Sequence, residues 1–119
     1  VAFYQQVFGG EVTHEELPRE GHPWMKILGI GGGTSLNIFE VPAETIIGER
    51  RRIGARGAID HFGIGADSHA SLEEYAAKLA AAGAQEVGEI QRLGNEWSLF
   101  FRDADGMELE ICAPYTGDE

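Results

Sequence analysis

The feature that most constrains this chain is that it rhymes with itself. "LNIFEVP" at 36–42 is answered by "LEICAP" at 109–114, and the elements around each follow a similar order. In the second half, 58–66 reads as a strand, and Ser71 with Glu74 three residues later forms a capping-box pattern opening a helix. Leu72, Tyr75, Ala76 and Leu79 share one face of that helix, which stops at Gly83. Strands at 86–92, 97–102 and 107–112 follow, joined by "LGNE" and "DADG". The first half offers a helix over 1–8, ended by Gly9 and Gly10, then strands at 11–17, 24–30 and 34–41. Two units of about 55–60 residues are therefore predicted, each βαβββ. The opening strand of the first would precede Val1. This sets module 1 at 1–42, a linker at 43–57 and module 2 at 58–114, together one α+β domain.

Composition narrows the partners. A net charge of −11 opposes nucleic acid, because phosphate binding needs a basic surface. No apolar run approaches the roughly 20 residues of a membrane span, so no membrane partner is expected. The single Cys112 excludes an intramolecular disulfide and fits a reducing compartment, with cytoplasm the default. Arg50, Arg51, Arg52 and Arg56 run against the overall charge. They form either a solvated linker or an anion-recognising loop or subunit contact.

Strand alternation then nominates side chains. In 58–66, His61, Gly63 and Gly65 share a face opposite Phe62 and Ile64. In 107–112, Glu108, Glu110 and Cys112 lie opposite Met107, Leu109 and Ile111. With the apolar faces on the helices, His61 and Glu110 look out of the other side. An imidazole and a carboxylate displayed from separate strands are how a protein builds a metal site, while each taken alone also fits an ordinary structural or solvent-facing residue. The same parity nominates Ser35, Asn37 and Phe39 in the first module, and Ser98, Phe100 and Arg102 in the second. Asn37, Phe39, Phe100 and Arg102 are the candidate substrate contacts, with Asp103 or Asp105 an alternative partner for Arg102. His14 is read as solvent-facing and His22 as a turn residue. His69 belongs at a helix entrance or over a cleft, and Cys112 is a small buried filler.

"AFYQQVFGGEV", "IDHFGIGAD", the helix ending "AAAGA" and "FFRDADGMELEI" together resemble the vicinal oxygen chelate superfamily. Its members include glyoxalases, extradiol dioxygenases, methylmalonyl-CoA epimerases, and fosfomycin and bleomycin resistance proteins. The resemblance implies paired βαβββ modules forming a curved mixed sheet around a cleft. It also implies a divalent metal (Fe, Mn, Zn or Ni), a small-molecule substrate and a homodimer. On that pattern His61 and Glu110 are metal ligands, and Glu110 can also serve as the catalytic base. A further ligand would come from the strand before Val1, and Asn37 stands where a glyoxalase I places a glutamate. Two functions follow from different classes. One is a metal-dependent lyase, isomerase or dioxygenase acting on vicinal oxygens. The other is a metal-free protein that sequesters a drug or metabolite in a pocket of Phe39, Phe100 and the tryptophans.

Overall fold

A computed structural model of the chain describes residues 1–45 and 61–117. The arginine-rich segment and the expected strand residues 58–60 lie outside the described residues. The chain divides into two compact units, Val1–Arg50 and Arg51–Glu119. Each holds a helix and a sheet, so the fold is α+β. Among the described residues no helix is long and apolar enough to cross a membrane.

In the first unit, α1 (Ala2–Phe8) ends at Gly9, whose φ of 64° is left-handed. The Gly9 and Gly10 N–H groups reach back to the carbonyls of Gln5 and Tyr4, satisfying groups the helix leaves open. Three antiparallel strands follow in sequence order: β1 (Glu11–Glu16), β2 (Trp24–Gly31) and β3 (Thr34–Glu40). Leu28, fully buried, lies against Gly10 on the α1 side of β2. By alternation Trp24 and Lys26 share that side, and they pair with Glu40 and Ile38 of β3. Asn37 and Phe39, paired with Ile27 and Met25, take the opposite side, and both are exposed.

The second unit builds a four-stranded sheet in the order β4-β7-β6-β5. Its strands are β4 (Phe62–Gly65), β5 (Gln91–Leu93), β6 (Glu96–Arg102) and β7 (Glu108–Pro114). The helix α2 (His69–Ala81) connects β4 to the rest. Leu72 and Leu79 of α2 are fully buried, as are Leu99, Leu109 and Ile111, with Phe101 nearly so. These side chains form one face of sheet and one stripe of helix, the usual two-layer solution to burying an amphipathic helix.

Two expectations need correction. The helix begins at His69, three residues before the predicted start. Ser68, in extended conformation, is the cap, and its hydroxyl accepts from the Ser71 N–H at 3.2 Å. The spacing Ser68–Ser71 satisfies the same capping geometry one turn earlier, so the first serine to reach an open N–H sets the boundary. The strand predicted over 86–92 shrinks to Gln91–Leu93. Glu86 sits at φ 50°, a left-handed conformation that interrupts extended backbone. Two scattered backbone bonds, Arg102 N–H to Gln85 and Gly88 N–H to Phe100, take the place of a regular ladder between 85–88 and β6.

The "DADG" turn carries more structure than its polar residues announce. Asp103 is nearly buried, and its carboxylate accepts the N–H groups of both Asp105 and Met107 at 2.9 Å. Gly106 supplies the positive φ, 83°, that lets the chain reverse into β7. The hairpin register of β6 on β7, which pairs Phe100 with Glu110, is closed at this end.

The corrected cap gives a direct test. Ser68→Ala should cost about 0.5–2 kcal/mol of unfolding free energy in urea, the range for losing a helix cap. Ser68→Asp, which keeps a capping oxygen, should retain most of the stability. A Ser68→Ala protein as stable as wild type would return the cap to Ser71.

Candidate functional site

The second sheet turns one face to α2 and the other away from it, and the candidate residues gather on the second of these. Parallel pairing sets Phe62 opposite Leu109 and Ile64 opposite Ile111, on the buried face. The same register sets Gly63 beside Glu110 and Gly65 beside Cys112 on the other. His61 precedes β4 rather than sitting inside it. Its Nε2 lies 3.3 Å from Glu110 Oε2, with the two side chains 34% and 15% exposed. That distance falls just beyond the usual span of an N–H···O hydrogen bond, about 2.7–3.2 Å. Phe100, across the strand from Glu110, meets the His61 ring edge-on, centroids 5.4 Å apart. Gly65 is exposed, and a Cβ there would meet no atom within 4 Å, so no side chain crowds this part of the face.

The other oxygen of Glu110 is also engaged. Ser98 is fully buried, and its hydroxyl donates to Glu110 Oε1 at 2.6 Å. Such a short O–H···O contact is the length of a charge-assisted bond. Cys112 completes the group. Burial first, then the hydrogen bond and charge of Glu110 and the charge of Glu96, push its thiol up to about 12 against an opposing bond from Ser98. A thiol held protonated this firmly is a filler and a weak donor, not a nucleophile.

A divalent ion accepting imidazole and carboxylate donors at about 2.0–2.2 Å each would hold those atoms roughly 3.0–3.4 Å apart. The His61–Glu110 separation fits two neighbouring positions of such a site. Among the described residues, no group of three His, Cys, Asp or Glu side chains converges, so the chain's described part offers this pair and no third protein ligand of those types.

The other candidates lie elsewhere. Arg102 shares Ser98's strand face, but its guanidinium donates to Glu86 and, at 2.9 Å, to the Gly106 carbonyl. The Glu86 bond raises its pKa further, keeping it charged. Glu86 thus holds the arginine, while Asp103 bonds to backbone. Glu86 is 16 residues away in a segment expected to be strand, so no local spacing pointed to it. Arg102 braces the start of the turn and is not aimed at the His61–Glu110 pair. Asn37 and Phe39 belong to the first unit. Trp97 lies on the α2 side, its ring 4.7 Å from that of His69 and 5.3 Å from that of Tyr115. Trp24 lies on the α1 side, opposite Phe39, with its indole N–H on Glu15 at 2.6 Å. Neither tryptophan therefore shares a sheet face with the phenylalanines of the imagined sequestering pocket. His14 is exposed and pairs with Glu16, His22 closes a backbone turn with Arg19, and His69 is the first residue of α2.

The family model described as the Glyoxalase/Bleomycin resistance protein/Dioxygenase superfamily matches residues 1–111. The chain belongs to this superfamily. Solved structures of similar fold include a glyoxylase/bleomycin resistance protein/dioxygenase domain from Frankia sp. EAN1pec, with TM-score 0.77 and 24% identity over 98% of this chain and 82% of that one. The genomically encoded fosfomycin resistance protein FosX of Listeria monocytogenes gives TM-score 0.70 and 21% identity, covering 97% and 81%. A lactoylglutathione lyase from Agrobacterium tumefaciens gives TM-score 0.60 and 25% identity, covering 99% and 85%. No curated protein matches the chain. Within this superfamily assignment, the "IDHFGIGAD" and "DADGMELEI" stretches are the two that contribute His61 and Glu110.

The thiol provides a check on the geometry around Glu110. At pH 8.5 a thiol titrating near 12 holds roughly a thousandfold less thiolate than one near 9. Iodoacetamide should therefore alkylate Cys112 at least about a hundredfold more slowly in the native protein than in the urea-unfolded chain. Rates within tenfold of each other would mean that burial and Glu110 do not act on the thiol as described.

Proposed function

We infer that this superfamily member is a divalent-metal-dependent enzyme of the glyoxalase/dioxygenase type, acting on a small molecule that presents two adjacent oxygens. The observation that carries the reading is the approach of His61 Nε2 to Glu110 Oε2 at 3.3 Å on the sheet face away from α2. His61 and Glu110 would hold the metal, drawn from Fe, Mn, Zn or Ni, with the remaining positions left to other donors and the substrate. When bound, the metal supplies Lewis-acid polarisation of the substrate's paired oxygens.

The chain's own groups do the rest. Phe100 packs its ring against His61 and limits how the imidazole can turn. In lyase or isomerase chemistry Glu110 is the base. Glu110 would first leave the metal; a substrate C–H bond then breaks, the proton passes to the freed Glu110 Oε2, and the electron pair stays on the substrate as an oxygen-centred anion. Return of that proton to the neighbouring carbon completes an isomerisation without any other reactant. Superfamily resemblance supports a homodimer, and a single cysteine supports a reducing, cytoplasmic setting.

Equilibrium dialysis against Mn²⁺, Fe²⁺, Zn²⁺ and Ni²⁺ tests this reading, with His61→Ala alongside. Wild type should take up about one equivalent of at least one metal. His61→Ala should lose affinity by more than the roughly 10–100-fold expected for an outer-shell partner. It should change unfolding free energy by no more than about 0.5 kcal/mol, because His61 is partly exposed. Unchanged occupancy would overturn the metal site. A destabilisation of several kcal/mol would make His61 a structural residue. A wild-type protein that stays metal-free but binds bleomycin or a similar drug would favour the sequestering function instead.

A further inference from the structure

Among the described residues Ser98 is the one fully buried polar side chain on the face that carries Glu110, and a buried hydroxyl must place its proton somewhere. It places it on Glu110 Oε1, at 2.6 Å. The opposite oxygen, Oε2, is the one that approaches His61. The two oxygens of one carboxylate therefore have separate partners, Ser98 on β6 and His61 just before β4. A glutamate side chain has three rotatable bonds, and fixing all of them in water costs rotamer entropy. Ser98 offsets that cost in advance, because it sits on the rigid centre of β6, in a register closed at the Asp103 turn.

We propose that Ser98 is a positioning residue: its buried hydroxyl pins Oε1 of Glu110, so that Oε2 is turned toward His61 and Glu110 meets a divalent cation through one oxygen only. The inference rests on the metal reading of His61 and Glu110, and adds to it the residue that sets the carboxylate's orientation and its denticity. A carboxylate left to spin would lose affinity through disorder, or present both oxygens and consume a position the substrate needs.

The test uses Ser98→Ala and Ser98→Thr, each read two ways. In metal-free crystals of Ser98→Ala, Glu110 Oε2 should leave ion-pair range of His61 Nε2. In Ser98→Thr, which keeps the hydroxyl, it should remain. In titrations with Co²⁺, followed by its visible absorption, Ser98→Ala should bind 10–100-fold more weakly, the range for losing an outer-shell partner. Ser98→Thr should recover most of the loss, and its band shape should match wild type. If Ser98→Ala does not fold, Ser98→Cys, nearly isosteric with only a weak donor, is read in its place, with the same losses expected. Wild-type geometry and wild-type Co²⁺ affinity in the variant lacking the hydroxyl would overturn the proposal. Failure of the wild-type protein itself to bind Co²⁺ would overturn the metal reading and the denticity claim together. The crystals would then still decide whether Ser98 orients Glu110.

Discussion

The register of β4 on β7 is the constraint on which the rest of the second unit depends. Side chains on a strand alternate, so sliding β4 or β7 by one residue would exchange its two faces. In the observed register Phe62 and Ile64 join Leu109 and Ile111 beneath α2, and Glu110 is left on the other face beside Gly63. The slipped register of β7 would drive a carboxylate into a core of leucines, at a cost far above the stability available to a small domain. Hydrophobic burial thus aims Glu110 without any direct selection of its direction. The ladder continues past the strand, where the Ala66 N–H reaches the Cys112 carbonyl at 2.7 Å.

The two faces of this sheet have different chemistry because they answer to different solvents. The face toward α2 is apolar, apart from the aromatic cluster of Trp97, His69 and Tyr115 at its edge. The other carries Ser98, Phe100, Glu110 and Cys112, partly withdrawn from water, where the Ser98–Glu110 hydrogen bond gains strength from the lower local dielectric. The "DADG" turn joins the two stories. Its Asp103 spends its carboxylate on backbone N–H groups, and so fixes the hairpin that holds Ser98 within reach of Glu110. A motif that marks the superfamily in sequence thereby serves the site indirectly, through strand register.

Much of this was legible in the residues themselves, and the rest failed for physical reasons. Alternation alone put Glu110 and Cys112 on one face and Leu109 and Ile111 on the other, because a strand's period of two admits no third choice. The buried face of α2 was equally readable from its apolar spacing. The start of α2 was not, since Ser68 and Ser71 are both competent caps and the winner depends on backbone conformation. Nor was the fate of 86–90, where a left-handed Glu86 overrides good strand residues. The partner of Arg102 depended on that same irregular segment, which is why adjacent aspartates looked the better choice. For His61 and Glu110, parity indicated a shared side, but only the tertiary pairing of β4 with β7 brings the imidazole to one particular oxygen. The bond from Ser98 needed that same knowledge, together with the depth at which the hydroxyl is buried.

The proposed function comes down to a single point in space between His61 Nε2 and Glu110 Oε2. Diffraction at the manganese edge, from crystals of the full chain soaked in Mn²⁺, tests that point most directly. The account predicts an anomalous peak within about 2.0–2.3 Å of both atoms. A soaked crystal with no peak there, or with manganese bound only at other carboxylates, would contradict it.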